Sequence, residues 1–193
     1  MSGAGAVGGA RILAVCTGNI CRSPAVERLL AAAVGDAYAV SSAGTGALVG
    51  SPVDAPVAAL LAEAGVATEG FASRQLTAAM VREAGLVVAL TREHRAAVVK
   101  LVPGALRSTF TLRELGRLLS VADLAGLPED PAERLAELAA RARAARALPG
   151  GRATVPADDD VVDPYRRDAA VLARSWAELS EPVAVLREAL LAR

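Results

Sequence analysis

A short apolar run that stops at a glycine-bearing turn and passes at once into a helical segment constrains this fold most. RILAVC, Arg11 to Cys16, is too short for a helix and does not alternate in polarity, which suits a strand buried on both faces of a parallel sheet. Pro24 to Val34 follows as a helix, with Ser23 suited to the N-cap, Pro24 to the first helical position and Gly35 to the end. The rhythm then repeats. Tyr38 to Ser42 reads as a second strand, Ala43 to Pro52 as a Gly- and Ser-containing loop, and Ala55 to Ala64 as a helix stopped by Gly65. LVVAL, Leu86 to Leu90, reads as a third strand, Arg92 to Leu101 as a helix, and Ser108 to Thr111 as a fourth strand. Strands alternating with helices imply right-handed crossovers. The expected architecture is α/β, a three-layer sandwich with a central four-stranded parallel sheet and helices on both faces.

Residues Glu114 to about Ala157 break the rhythm and read as a helical insertion. Within it Ala132 to Leu148 forms a helical run in which Leu135, Leu138 and Leu148 mark an apolar stripe, a covering for part of the sheet. Asp158 to Asp160 reads as a solvated acidic loop. The last helix is expected from about Arg166 to Ala192, with a break near Pro182. Residues 1–10 read as a flexible leader and 11–193 as a single domain carrying the insertion at 114–157. Gly3, Gly5 and Gly8 match G-x-G-x-x-G by letter but precede the first strand, where a dinucleotide fingerprint should follow one.

Composition removes several classes. Lys+Arg and Asp+Glu both total 21, a formal net charge of +0, which argues against a global electrostatic hold on nucleic acid. Aromatic residues are 3% of the chain, too few for base-stacking platforms. No apolar run reaches the roughly 18–20 residues of a membrane span. Two Cys and one His are too few for a disulfide scaffold or most closed zinc sites, so no metal and no cofactor are expected. A cytoplasmic protein with reduced thiols is the default. The oligomeric state is left open.

The chemistry lies in Cys16-Thr17-Gly18-Asn19-Ile20-Cys21-Arg22-Ser23-Pro24. A loop curling from a strand into a helix turns successive backbone N–H groups inward as an anion nest, and the helix N-terminus adds partial positive charge. Gly18 suits the unusual backbone angles of such a curl. Arg22 offers a planar fork for two phosphate oxygens. Thr17, Gly18, Asn19, Ile20, Cys21 and Arg22 are thus the candidate phosphate-binding residues. In that field Cys16 favours the thiolate, placed beneath a bound phosphate for in-line attack on phosphorus.

The stretch Val15 to Pro24, VCTGNICRSP, resembles the active-site loop of the low-molecular-weight protein tyrosine phosphatases. Ser41-Ser42-Ala43-Gly44-Thr45 is similar to the family's segment after the second strand, and Asp163-Pro164-Tyr165 looks like its general-acid segment. The resemblance implies hydrolysis of phosphotyrosine in proteins through a phosphocysteine intermediate. Cys16 would be the nucleophile and Arg22 the phosphate clamp, with Asp163 protonating the leaving phenolate and then activating water. Composition alone does not separate Asp163 from Asp158, Asp159 and Asp160. The resemblance further implies that Ser23 donates to the Cys16 sulfur, that Asn19 and Ser42 brace the loop, and that Cys21 forms a reversible disulfide with Cys16.

The family commonly has a His where Phe71 stands, which bears on the Asn19 bracing. Its variable loop often carries an aromatic residue where Ala47-Leu48-Val49 stands here, so Leu48 would form one wall of the substrate slot and Tyr165 the other. His94, on a helical segment, reads as a surface residue. A protein arginine phosphatase is the main alternative, although that branch typically carries Thr where Ile20 stands. An arsenate reductase would need further downstream cysteines. A non-catalytic phosphate-binding module is a further alternative, against which the presence of Cys16, Arg22 and Asp163 together weighs.

Overall fold

β1 (Arg11–Cys16) is the axis of the fold. A computed structural model describes residues 10–192. β1 pairs in parallel with β2 (Ala39–Gly44) on one side and with β3 (Leu86–Ala89) on the other, and β4 (Thr109–Thr111) adds beyond β3, giving the order β2-β1-β3-β4. The leader expected for residues 1–10, and the glycine pattern within it, lie outside the described residues except for Ala10. That residue is buried, and its carbonyl accepts the N–H of Ala39 at 2.8 Å.

The two-residue period of a strand divides the core into two layers. Ile12, Ala14 and Cys16 face one side with Leu86, Val88 and Phe110. Against that side pack α1 (Arg22–Val34), α2 (Ala55–Glu63), α5 (Leu112–Val121), α6 (Pro131–Ala145) and α7 (Ala169–Leu191). Leu13, Val15 and Val87 face the other side with Val81 of α3 (Ala78–Glu83) and Val98 of α4 (Arg92–Leu101). The sheet is therefore covered on both faces, as an all-parallel sheet requires.

Several local expectations are corrected. Helix α1 starts at Arg22, with Cys21 at the N-cap position and no side-chain cap, because the Ser23 hydroxyl is committed elsewhere. α6 ends at Ala145. Leu148 lies beyond it in a turn closed by Gly151 N–H on the Leu148 carbonyl, and is 45% exposed, so it takes no part in the stripe that Leu135 and Leu138 bury. α7 begins later than expected, at Ala169, where Asp168 accepts the N–H of Val171, and it runs unbroken through Pro182. Gly116 of α5 lies against that proline. A Cβ at Gly116 would come 2.6 Å from Pro182 Cβ, so the absent side chain lets the two helices approach. The short α3, capped by Thr77, has too little periodicity to be read from its sequence.

Among the described residues no helix is long and apolar enough to cross a membrane.

Candidate active site

The strand β1 ends on Cys16, and the chain curls through 17–21 before α1 begins. The loop after β2 holds that curl in place. N–H groups of Thr45, Gly46, Leu48 and Asp54 donate to the carbonyls of Cys16, Thr17, Gly18 and Ile20, at 2.8–3.0 Å. With these carbonyls drawn outward, the N–H groups of Gly18, Ile20, Cys21 and Arg22 donate to no protein acceptor among the described residues. They are free to serve an oxyanion. Gly44 makes the close approach feasible, since a Cβ there would lie 2.3 Å from the Thr17 carbonyl oxygen. The left-handed residue of the curl is Asn19, at φ 53°, rather than Gly18; asparagine tolerates that region better than most side chains.

Asn19 organises the hydrogen bonds beneath the loop. Its Oδ1 accepts the backbone N–H of Arg74 at 2.7 Å, which fixes the amide orientation. Nδ2 then donates to Ser23 Oγ at 2.9 Å and to Ser42 Oγ at 2.7 Å. The Ser42 hydroxyl in turn donates to Glu27 Oε2 at 2.6 Å. Ser23, already accepting from Asn19, has its hydroxyl proton available for Cys16 Sγ at 2.9 Å. The backbone N–H of Asn19 donates to the same sulfur at 3.3 Å. The Cys16 sulfur thus has two hydrogen-bond partners. Phe71 takes no part in this network; its ring lies under the Arg28 guanidinium, 5.4 Å away. Both polar atoms of the Asn19 side-chain amide are thus engaged, in three hydrogen bonds, without a histidine at that position.

Arg22 is buried at the loop's end. Its Nη1 donates to the Val161 carbonyl at 3.0 Å and its Nη2 pairs with Asp163 Oδ2 at 2.8 Å, while Nε, also buried, has no partner. A buried donor left over in a cleft calls for an acceptor, and it lies beside the free amides. Cys16, Thr17, Gly18, Cys21 and Arg22 form the floor of a cavity of about 200 Å³; Ile20, Leu48 and Tyr165 give it apolar walls, and Asp163 stands at its mouth. Burial, reinforced by the nearby Asp54 carboxylate, pushes the Cys21 thiol well up, so Cys21 is neutral. Both cysteines are free. A larger groove of about 710 Å³ between α5, α7 and residues 150–158 is lined by neither cysteine.

His94 is not a surface residue. It is buried, with Nε2 2.8 Å from Thr17 Oγ1 and Nδ1 2.9 Å from Thr91 Oγ1. Burial first, and then the Arg22 charge, push it down to about 4, so it is a neutral prop for the loop. The threonine three residues before it, an N-cap at the end of a strand, was the available signal. Glu27 and Arg74 were also missed, since nothing in their local sequence distinguishes them from ordinary surface residues. The acidic run is not simply solvated: Asp159 pairs with Arg117 at 2.6 Å and Asp160 with Arg92 at 2.9 Å.

These features define an α/β protein with a loop of unpaired amides between a strand and a helix, and a cysteine and a carboxylate lining the same cavity. Residues 11–133 match the family model for low molecular weight phosphotyrosine protein phosphatase, and the chain belongs to that family. It is 49% identical over 92 residues to the low molecular weight protein-tyrosine-phosphatase Etp of Escherichia coli, a match covering 48% of this chain and 62% of that relative. Vibrio vulnificus Wzb, solved with benzylphosphonate, superposes with a TM-score of 0.65 at 25% identity, over 92% of this chain and 97% of the other. The YwlE arginine phosphatase of Geobacillus stearothermophilus does so with a TM-score of 0.65 at 27% identity, over 92% and 90%.

Proposed function

We propose that this chain hydrolyses phosphotyrosine, an aryl phosphate, in protein substrates. The Cys16 thiolate attacks phosphorus. As the S–P bond forms, the P–O bond to the phenol breaks, and the departing oxygen takes its electron pair and a proton from Asp163. Water then attacks the phosphocysteine and gives a proton to the Asp163 carboxylate. The sulfur leaves with its electron pair, and inorganic phosphate is released. The free loop amides and the Arg22 guanidinium stabilise the equatorial oxygens in both steps.

The observation that carries this reading is the convergence of Cys16 Sγ, the buried and unpartnered Arg22 Nε, and the Asp163 carboxylate on one small cleft. The apolar walls from Ile20, Leu48 and Tyr165 suit a flat phenyl ring and offer a guanidinium no polar partner at Ile20, which favours an aryl phosphate over phosphoarginine. A reducing compartment such as the cytoplasm suits a free thiol nucleophile.

Turnover of p-nitrophenyl phosphate and of a phosphotyrosine peptide tests the reading. Cys16→Ser should abolish turnover while phosphate binding persists, and Asp163→Ala should slow the peptide by about 10²–10⁴-fold. Cleavage of phosphoarginine in preference to phosphotyrosine would overturn the substrate assignment.

A further inference from the structure

We infer that Arg92 and Asp160 are positioning residues for Asp163, a role that rests on the phosphatase reading above. Asp160 Oδ1 accepts the backbone N–H of Arg92 at 2.7 Å and, at 3.2 Å, the Nε–H of the same residue. Nε also reaches Oδ2 at 3.2 Å, and Nη2 reaches it at 2.9 Å. A single carboxylate is thus gripped by the guanidinium fork and by an N–H of the first turn of α4, where the helix dipole favours negative charge. Those contacts outweigh the opposing effect of burial and hold the Asp160 carboxyl below its usual range.

Two residues separate Asp160 from Asp163, and the peptide groups between them are bonded. The Asp160 carbonyl accepts from Arg113 at 3.2 Å. The Val161 N–H donates to the Leu90 carbonyl at the end of β3 at 2.9 Å, and the Val161 carbonyl accepts from Arg22. The Val162 N–H donates to Glu178 at 2.8 Å, and its carbonyl accepts from Ser175 at 2.9 Å. Asp163 itself is held more loosely. Among the described residues its side chain bonds only Arg22 and the N–H of Tyr165, and it is 54% exposed. Its aim is therefore set by the residues before it, and the outer end of that strap is the Arg92–Asp160 pair.

The pair is a poor candidate for a stability device. Arg92 is half exposed, and solvated ion pairs contribute little to folding. The same helical turn also carries His94, which props Thr17 in the nucleophile loop. One turn of α4 thereby touches both halves of the site and keeps acid and sulfur in register, where small misplacements are costly to rate.

The test compares kcat/KM for phenyl phosphate, whose leaving group needs a proton, with that for p-nitrophenyl phosphate, whose leaving group needs it far less. Arg92→Gln and Asp160→Asn should lower kcat/KM for phenyl phosphate by about tenfold or more, and for p-nitrophenyl phosphate by less than about threefold. Arg92→Lys should fall between. Melting temperatures should stay within about 2 °C of the parent. Adding Arg92→Gln to Asp163→Ala should change neither ester further, since both act through one proton. Equal losses on both esters, or none, overturn the inference while Asp163→Ala still shows the split. A parent protein that cleaves neither ester sinks the phosphatase reading instead, and this inference with it.

Discussion

Asn19 combines a left-handed backbone with three side-chain hydrogen bonds, to Arg74 N–H, Ser23 and Ser42. Asn19→Ala removes all three and leaves buried groups without partners, so it should destabilise the fold by about 2–4 kcal/mol, measured by urea denaturation. Turnover should fall as well, because the Ser23 hydroxyl then loses the donor that keeps its own proton directed at sulfur. Cys16 and Arg22 were legible in the sequence because they belong to one contiguous loop whose spacing carries its own physics. Asp163 was not legible without a family resemblance, since three other aspartates precede it within five residues. Glu27, Arg74 and His94 were not legible because their partners come from remote segments, and a lone side chain does not announce which segment will fold over it.

At the scale of elements, the first turn of α4 has a measurable signature. His94 is pushed down to about 4 by burial and then by the Arg22 charge, against the pull of Asp163 and Asp160, whereas an ordinary histidine titrates near 6.5. Between those values the unfolded chain takes up a proton that the folded chain refuses. The contribution of His94 is therefore complete above about pH 6.5 and declines as the pH falls toward 4, by roughly 2–3 kcal/mol. Urea midpoints measured at pH 7 and at pH 4.5 should show this decline, and His94→Gln should reduce it. Strand cores and most helices could be read from apolar runs and from Gly and Pro punctuation. Helix ends near functional loops could not: Ser23 has the chemistry of an N-cap, but tertiary structure assigns its hydroxyl to the Cys16 sulfur. Pro182 likewise suggested a break in α7 that packing against Gly116 overrides.

For the whole molecule, the helices between β4 and residue 158 are built into the main core. Leu135, Leu138 and Ala142 of α6 join the cluster that also contains Ile12 and Leu186. Arg134 secures the joint: its guanidinium is buried and donates to the carbonyls of Pro128, Leu190 and Ala192, which ties α6 to the C-terminal end of α7. Arg134→Leu should cost about 2–4 kcal/mol, read as a lower midpoint in a single cooperative denaturation transition. The order β2-β1-β3-β4 was not legible, because apolar runs state that strands exist and not which neighbours they choose.

The hydrogen bond from Arg22 to the Val161 carbonyl joins positions 139 apart in the chain. A ribosome releases the cysteine loop early and the carboxylate loop late. Residues 16–22 emerge long before Asp163, so the two cannot meet until the chain beyond residue 163 has been made. The complete site is thus a late event in biosynthesis, and a chain truncated ahead of residue 160 would lack both the Val161 carbonyl that holds Arg22 and the α7 side chains that join the main core.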